Sequence, residues 1–200
     1  GDAFMAALES EIDPADLKWI WLSHMDFDHI GNLRRVLARA PNATVITNFL
    51  GMAKLGLVDI APERVHLLNP GESTDIGGRR LTGLRPVYYD APETMGFHDE
   101  TAGALFVADS FGALLPGQID RLDDADEATV SQGMHGWSSI DAPWLADQSS
   151  EALGRRLAEV EAMEPRLVMS AHLPPMSGSV RRLTGIVGRT YNAVRYTDRA

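Results

Sequence analysis

The stretch "SHMDFDHIGN", residues 23–32, restricts this chain more than any other: His24, Asp26, Asp28 and His29 fall within six consecutive positions, directly behind the apolar run "LKWIWL". Carboxylates that close disfavour one another's ionised form unless something positive sits among them. A metal ion, or a pair of them, meets that need. The chain contains no cysteine, so any metal is held by nitrogen and oxygen, which points to iron, manganese or zinc and removes disulfides and thiolate sites.

Two hundred residues, 44% of them hydrophobic, suffice for one domain with its own core and are too few for two. With 18 Lys plus Arg against 28 Asp plus Glu the formal charge is -10. That charge repels phosphate backbones and anionic bilayers, so neither nucleic acid nor a membrane is expected as a partner. No run reaches the roughly 18 apolar residues of a membrane span. The N-terminal "GDAFMAALESEI" lacks the basic start and apolar centre of a signal peptide. A cytoplasmic protein is the expectation, unless a leader has been removed.

Apolar-periodic segments alternate with β-like runs separated by Gly, Pro and Asp, a pattern that predicts a layered α/β domain. A short helix is expected over residues 2–10 with Asp2 as its cap, followed by the strand "LKWIWL" and the acidic loop. The segment "IGNLRRVLARA" puts Ile30, Leu33, Leu37 and Ala40 on one helical face and stops at Pro41, before the strand "ATVIT". In "RVHLLNPGESTDIGGRRLTGLRPVYY", Asn-Pro-Gly and Gly-Gly punctuate short apolar runs as hairpin turns do. "GALFVADSFG" reads as a strand ending in Asp109. Residues 149–164 carry Leu153, Leu157, Val160 and Met163 on one stripe, with Ser149 or Ser150 as cap, and read as a helix stopped by Pro165. The strand "RLVMSAH" then ends in His172, and a last helical pattern carries Val180, Leu183, Val187, Tyr191 and Val194. Arg181, Arg182, Arg189 and Arg195 read as the solvated face of that helix.

Three strands thus end in donors: the 24–29 loop, Asp109 and His172. Loops at strand ends hold side chains that a rigid scaffold aims. Each donor has an ordinary reading by itself: Asp26 or Asp28 caps a helix, Asp109 closes a turn, His172 is a loop histidine. The joint pattern outweighs those readings. Of the other histidines, His66 reads as an ordinary strand residue, His98 as a surface residue or one supporting a ligand, and His135 as lining the pocket or exposed. Trp19 and Trp21 alternate along a strand and read as core and sheet-face packing.

These motifs resemble a known family. "HMDFDHIGN" is similar to the H-x-H-x-D-H signature of the metallo-β-lactamase fold, and in particular to its H-x-E-x-D-H form in flavodiiron and oxygen-binding diiron proteins. "DAPETMGFHD" resembles that branch's H-S-P-E-T-M, "LFVADSFG" its L-F-S-x-D-x-F-G, and "MSAHLPP" its S-H-G-P, at agreeing separations over most of the chain. The resemblance implies an αββα sandwich with its metals at one edge. It assigns His24, Asp26 and Asp90 to one metal, Asp28, His29 and His172 to the other, and Asp109 to a bridge. Two positions depart from the pattern. Asp26 stands where the branch has glutamate and zinc hydrolases have histidine, and Asp90 where both have histidine. These replacements make the first site mostly oxygen, which leans from zinc toward iron or manganese; a decayed site is the alternative.

By the same resemblance the expected function is a two-metal centre, iron with manganese or zinc as alternatives, that binds or reduces O2 or a related small molecule using an external electron donor. The competing readings are a dinuclear hydrolase acting on an ester, lactone or phosphate, and a non-catalytic oxygen or redox sensor. Domains of the family build several strands before the metal loop, and only one helix and one strand fit ahead of residue 24. Residues 1–200 are therefore expected to be one such domain lacking its N-terminal strands, with neither a flavodoxin module nor a flavin site. A sheet without those strands leaves an open edge, which predicts association into a homo-oligomer.

Overall fold

The computed structural model describes residues 1–192. Its elements, in chain order, are α1 (Asp2–Glu11), β1 (Trp19–Trp21), α2 (Phe27–Ile30), α3 (Leu33–Arg39), β2 (Thr44–Thr47), α4 (Phe49–Leu57), β3 (Val65–Leu67), β4 (Ser73–Asp75), β5 (Arg80–Leu84), β6 (Gly96–Asp99), β7 (Ala104–Phe106), α5 (Glu127–Asp141), α6 (Ser150–Ala162), β8 (Leu167–Ser170), β9 (Leu173–Ser177) and α7 (Arg181–Thr190).

Side-chain alternation along the strands sorts the core into layers. In the parallel sheet β1-β2-β3, Ile20 and Val45 face Met5, Leu33 and Leu55 of α1, α3 and α4. Trp19, Trp21 and Ile46 face the other way, onto Leu68 and Met95. The second sheet, ordered β4-β5-β6-β7-β8-β9, is antiparallel except between β7 and β8. Phe97 and Phe106 pair across β6 and β7, and Phe97 meets Trp21 with ring centroids 5.0 Å apart, so an aromatic seam joins the two sheets. Leu105 and Val168 point to the opposite side, into the core that also takes Val130, Leu153 and Leu183 from α5, α6 and α7. The layers are helices, sheet, sheet, helices, the αββα sandwich. Among the described residues no helix is long and apolar enough to cross a membrane.

Local chemistry overrides several expectations. Gly1 occupies the N-cap of α1, while Asp2 sits in the first turn, 2.7 Å from Arg35. The helix expected from residue 30 is broken at Gly31-Asn32 into α2 and α3. Asn69-Pro70-Gly71 carries the chain from one sheet to the other instead of closing a hairpin; Gly77-Gly78 does close one, between β4 and β5. Ser149 is the cap of α6, accepting from the Ala152 N–H at 3.1 Å. Arg181 and Arg189 pair with Glu161 and Glu127, but Arg182 is turned inward and donates to the carbonyls of Leu122 and Ala125. Val194 and Arg195 lie outside the described residues.

Topology then positions the chemistry. β5 and β7 are both antiparallel to β6, and β8 is parallel to β7. β5, β7 and β8 therefore run the same way and deliver the segments behind them, with Asp90, Asp109 and His172, to one sheet edge.

Candidate metal centre

The loop behind β1 reaches that edge from the other sheet, fastened by two hydrogen bonds: Met95 N–H to the Ser23 carbonyl at 2.9 Å, and Trp21 Nε1–H to the Met95 carbonyl at 3.0 Å. Asp109 lies at the centre and is 3% exposed. His29 Nε2 stands 3.2 Å from its Oδ1, and His24 Nε2 and His172 Nε2 stand 3.4 and 3.6 Å from its Oδ2. These contacts lack hydrogen-bond geometry: all three Nε2 atoms and Asp109 Oδ1 are buried without a partner. An unpaired buried polar group costs about 1–3 kcal/mol. A fold that orphans such atoms around one point is shaped for something that supplies the missing interactions.

Donor atoms of His24, Asp26 and Asp90 lie within 4.8 Å of one another, as do those of Asp28, His29 and His172, and a further set joins His24, His29 and Asp109. The structure thus brings together all seven residues singled out in the sequence, in two groups with Asp109 between them. The cluster is closed beneath and open above: the His24 side chain is 0% exposed and that of Asp28 is 58% exposed. The remaining histidines stay apart. His66 edges against Trp19 on β3, His98 lines a cavity with Arg85 and Arg156, and His135 is exposed on α5 beside Tyr191.

The backbone that presents Asp109 is unusual. Ala108 and Phe111 have φ of 49° and 66°, a region L residues rarely occupy. Surrounding bonds over-determine it. Ala171 N–H and the Ser170 hydroxyl donate to the Ala108 carbonyl, Phe111 N–H donates to the Tyr88 hydroxyl at 2.6 Å, and the Ser110 hydroxyl both donates to the Tyr88 carbonyl and accepts from its N–H. Strain held in this way collects at functional sites. The same network fixes Tyr88, two residues before Asp90.

Charge follows the geometry. Burial works to raise the Asp109 carboxyl, but the imidazoles of His172, His24 and His29 facing it prevail and hold it well below the ordinary carboxylate range. Burial works to lower His24, and the Asp109 carboxylate, helped by Asp90 and Asp26, lifts it above its usual value instead. Contact with Asp109 raises His172 against the effect of burial. Asp26 is pushed up by burial and by Asp90 beside it. A cation held by these residues would relieve these conflicts together, taking the place of the extra protons.

Two residues of α5 join the site without any ligand motif in the sequence to mark them. Trp137 of α5 stacks on His172 with ring centroids 4.1 Å apart and planes at 29°. Gly112 makes room for it, since a Cβ there would lie 2.5 Å from Trp137 Nε1. Asp141, one turn further along α5, has a carboxylate oxygen within 4.8 Å of those of Asp90 and Asp109. Burial, then the charges of Asp109 and Asp90, push its carboxyl up to about 7.

The sequence matches the Metallo-beta-lactamase superfamily over residues 1–172, and the chain belongs to that superfamily. Within it the similarity is to flavodiiron proteins. The chain is 30% identical over 114 residues to the putative diflavin flavoprotein A 1 of Thermosynechococcus vestitus, which is 56% of this chain and 20% of the relative. It is 29% identical over 111 residues to the anaerobic nitric oxide reductase flavorubredoxin of Salmonella arizonae, 54% of this chain and 23% of the relative. Its fold is similar to that of rubredoxin oxygen:oxidoreductase from Desulfovibrio gigas, with a TM-score of 0.79 at 18% identity over 94% of this chain and 46% of that one. The flavodiiron core from Synechocystis gives a TM-score of 0.77 at 23% identity, over 96% and 47%. The chain therefore spans under half the length of these solved relatives, and less of the curated ones.

Proposed function

We propose that this domain holds two metal ions, iron in the first instance, and that the loaded centre binds and reduces O2 or a related small molecule with electrons from an external redox protein. One observation carries the reading: two donor groups, each mixing imidazole with carboxylate, share the buried Asp109 between them. His24, Asp26 and Asp90 would hold one ion and Asp28, His29 and His172 the other, with Asp109 in contact with both. Four carboxylates balance the charge of two divalent ions, and a donor set without thiolate suits iron or manganese. When bound, the metals supply open positions for a small ligand and the capacity to pass electrons to it.

The side chains of this chain do the rest. His24 and Asp109 seal the floor of the site against water, and Trp137 covers the His172 flank. Asp26, Asp28 and Asp90 are exposed, so that side of the cluster is open to solvent and to a small ligand. Gas chemistry is supported by the names of similar proteins, an oxygen oxidoreductase in Desulfovibrio gigas and a nitric oxide reductase in Salmonella arizonae.

Protein purified without air should carry two irons per chain, change its absorption spectrum on contact with O2, and consume O2 when a chemical reductant stands in for the donor. Asp109→Asn should abolish that consumption. Cleavage of a phosphodiester, ester or lactone by the loaded protein, with no O2 uptake, would replace this reading by a hydrolytic one, and reversible O2 binding without consumption by a sensor.

A further inference from the structure

The last residue of α5 carries the least explained charge near the site. Asp141 sits at the negative end of a helix, where a carboxylate is disfavoured, and no basic residue occupies the helix's last turn. Its Oδ2 is buried and has no hydrogen-bond partner. A carboxylate oxygen of Asp141 also lies within 4.8 Å of oxygens of both Asp90 and Asp109, the latter 3% exposed. Three carboxylates at that spacing repel one another as long as nothing positive stands between them.

We propose that Asp141 is a carboxylate ligand of the first metal, the ion assigned to His24, Asp26 and Asp90. This inference rests on the two-metal reading and adds an eighth donor, from a helix that supplies none of the other seven. The position of Asp141 is built from both sides. One turn earlier, Trp137 stacks on His172; three residues later, Trp144 donates from Nε1 to the Tyr89 carbonyl at 3.0 Å and so fastens this segment to the residue before Asp90. Ala142, next in the chain, is 0% exposed. A second observation points into the same space: His24, 0% exposed, has an unpartnered Nε2 that stands 3.9 Å from Asp90 Oδ1 and 3.4 Å from Asp109 Oδ2.

The chemistry accounts for the two departures at positions 26 and 90. An aspartate is shorter than the glutamate or histidine of the resembled pattern, and Asp141 brings a further carboxylate to the same edge from α5. The resulting set is one imidazole nitrogen and otherwise carboxylate oxygen. It suits a hard ion of high coordination number, Mn(II) or Fe(II), better than tetrahedral zinc.

Chelator-stripped protein titrated with Mn(II), with free ion followed by electron paramagnetic resonance and fold by circular dichroism, tests the assignment. The wild type should take up two ions. Asp141→Asn, which keeps the size and removes the charge, should hold one ion as the wild type does and the other about tenfold or more weakly, while Asp141→Glu recovers part of the loss. His172→Ala should weaken the other ion instead. Should the asparagine variant fail to fold, Asp141→Ser gives the same comparison. A folded Asp141 variant that binds both ions within about twofold of the wild type overturns the inference and leaves the two-metal reading standing. A wild type that takes up fewer than two ions overturns that reading itself.

Discussion

The two halves of the metal centre are built from different material. Asp28, His29 and His172 give one half two imidazoles for one carboxylate, whereas His24, Asp26 and Asp90 give the other one imidazole for two carboxylates, with Asp141 close behind. With Asp109, the nitrogen-rich half has the mixed nitrogen and oxygen donors that would suit a borderline ion. The oxygen-rich half would hold an ion by accumulated negative charge, and without one its carboxylates repel one another. What the halves share is Asp109, among the described residues the one carboxylate in contact with an imidazole from each side.

The largest expected effect comes from removing what is shared. Asp109→Ala should weaken both ions by about a hundredfold or more, since each loses a ligand and each flanking imidazole loses the group it faces. Elemental analysis after dialysis reads the outcome. One ion retained at wild-type affinity would mean that the halves are independent and that Asp109 belongs to only one of them.

A smaller change makes the halves alike. Asp90→His gives the first half a second nitrogen and should raise its affinity for zinc about tenfold relative to manganese, while Asp90→Ala should lower its affinity for both. Competition between Zn(II) and Mn(II) measures the ratio. If it does not move in Asp90→His, Asp90 is a bystander and the carboxylate-rich character of that half comes from Asp26 and Asp141 alone.

The contrast also sets how the metal-free protein responds to pH. Asp141, raised to about 7, and His24 and His172, raised above the ordinary imidazole value, bind protons in the folded chain that they would release when unfolded. More protons bound in the folded state means stability that falls as pH rises: from about 4 to 7 for Asp141, and from about 6.5 upward for the histidines. Asp109 acts in the opposite sense, with a contribution present above about pH 4 and lost only in strong acid. The metal-free protein should therefore melt several degrees lower at about pH 8 than at about pH 6, and the loaded protein should not, because the ions take the place of the protons. Thermal melts of both forms decide this, and parallel pH profiles would mean that the ions do not occupy this cluster.

Much of this was legible in the sequence, for physical reasons that differ from element to element. The 24–29 loop stood out because its four donors share one short segment, and α6 because Leu153, Leu157 and Val160 repeat at helical spacing. β9 was hidden by Pro174 and Pro175, which a strand tolerates at a sheet edge, and among the described residues β9 is an edge strand paired with β8 alone. α5 was hidden by Gly133 and Gly136, which weaken helix propensity. It forms because Asp126 caps it, accepting from the Thr129 N–H at 2.9 Å, and because its partner needs the glycine: a Cβ on Gly133 would lie 2.5 Å from the Leu114 carbonyl oxygen. Asp141 did leave a trace. Val130, Met134, Trp137, Ser138 and Asp141 share one helical stripe, so a carboxylate continues an inward-facing row. That signal is readable only once the helix is recognised. Asp90 came from the resemblance and not from any local pattern of its own.

The smallest expected effect separates the two ways α5 touches the centre. Trp137 faces the nitrogen-rich half by stacking on His172, and Asp141, four residues on, faces the oxygen-rich half. Ring stacking of this kind is worth about 0.5–1.5 kcal/mol, so Trp137→Ala should weaken the ion at Asp28, His29 and His172 by roughly three- to tenfold by freeing the His172 ring. Trp137 Nε1 is itself buried without a partner, so its removal strips no hydrogen bond from the helix. The ion at His24, Asp26 and Asp90 should be held as before, because Trp144 still ties the Asp141 segment to Tyr89. Stepwise Mn(II) titration resolves the two affinities. If the oxygen-rich half loses more than the nitrogen-rich half, the role of Trp137 is to set the position of α5, and hence of Asp141, and its stacking on His172 matters less.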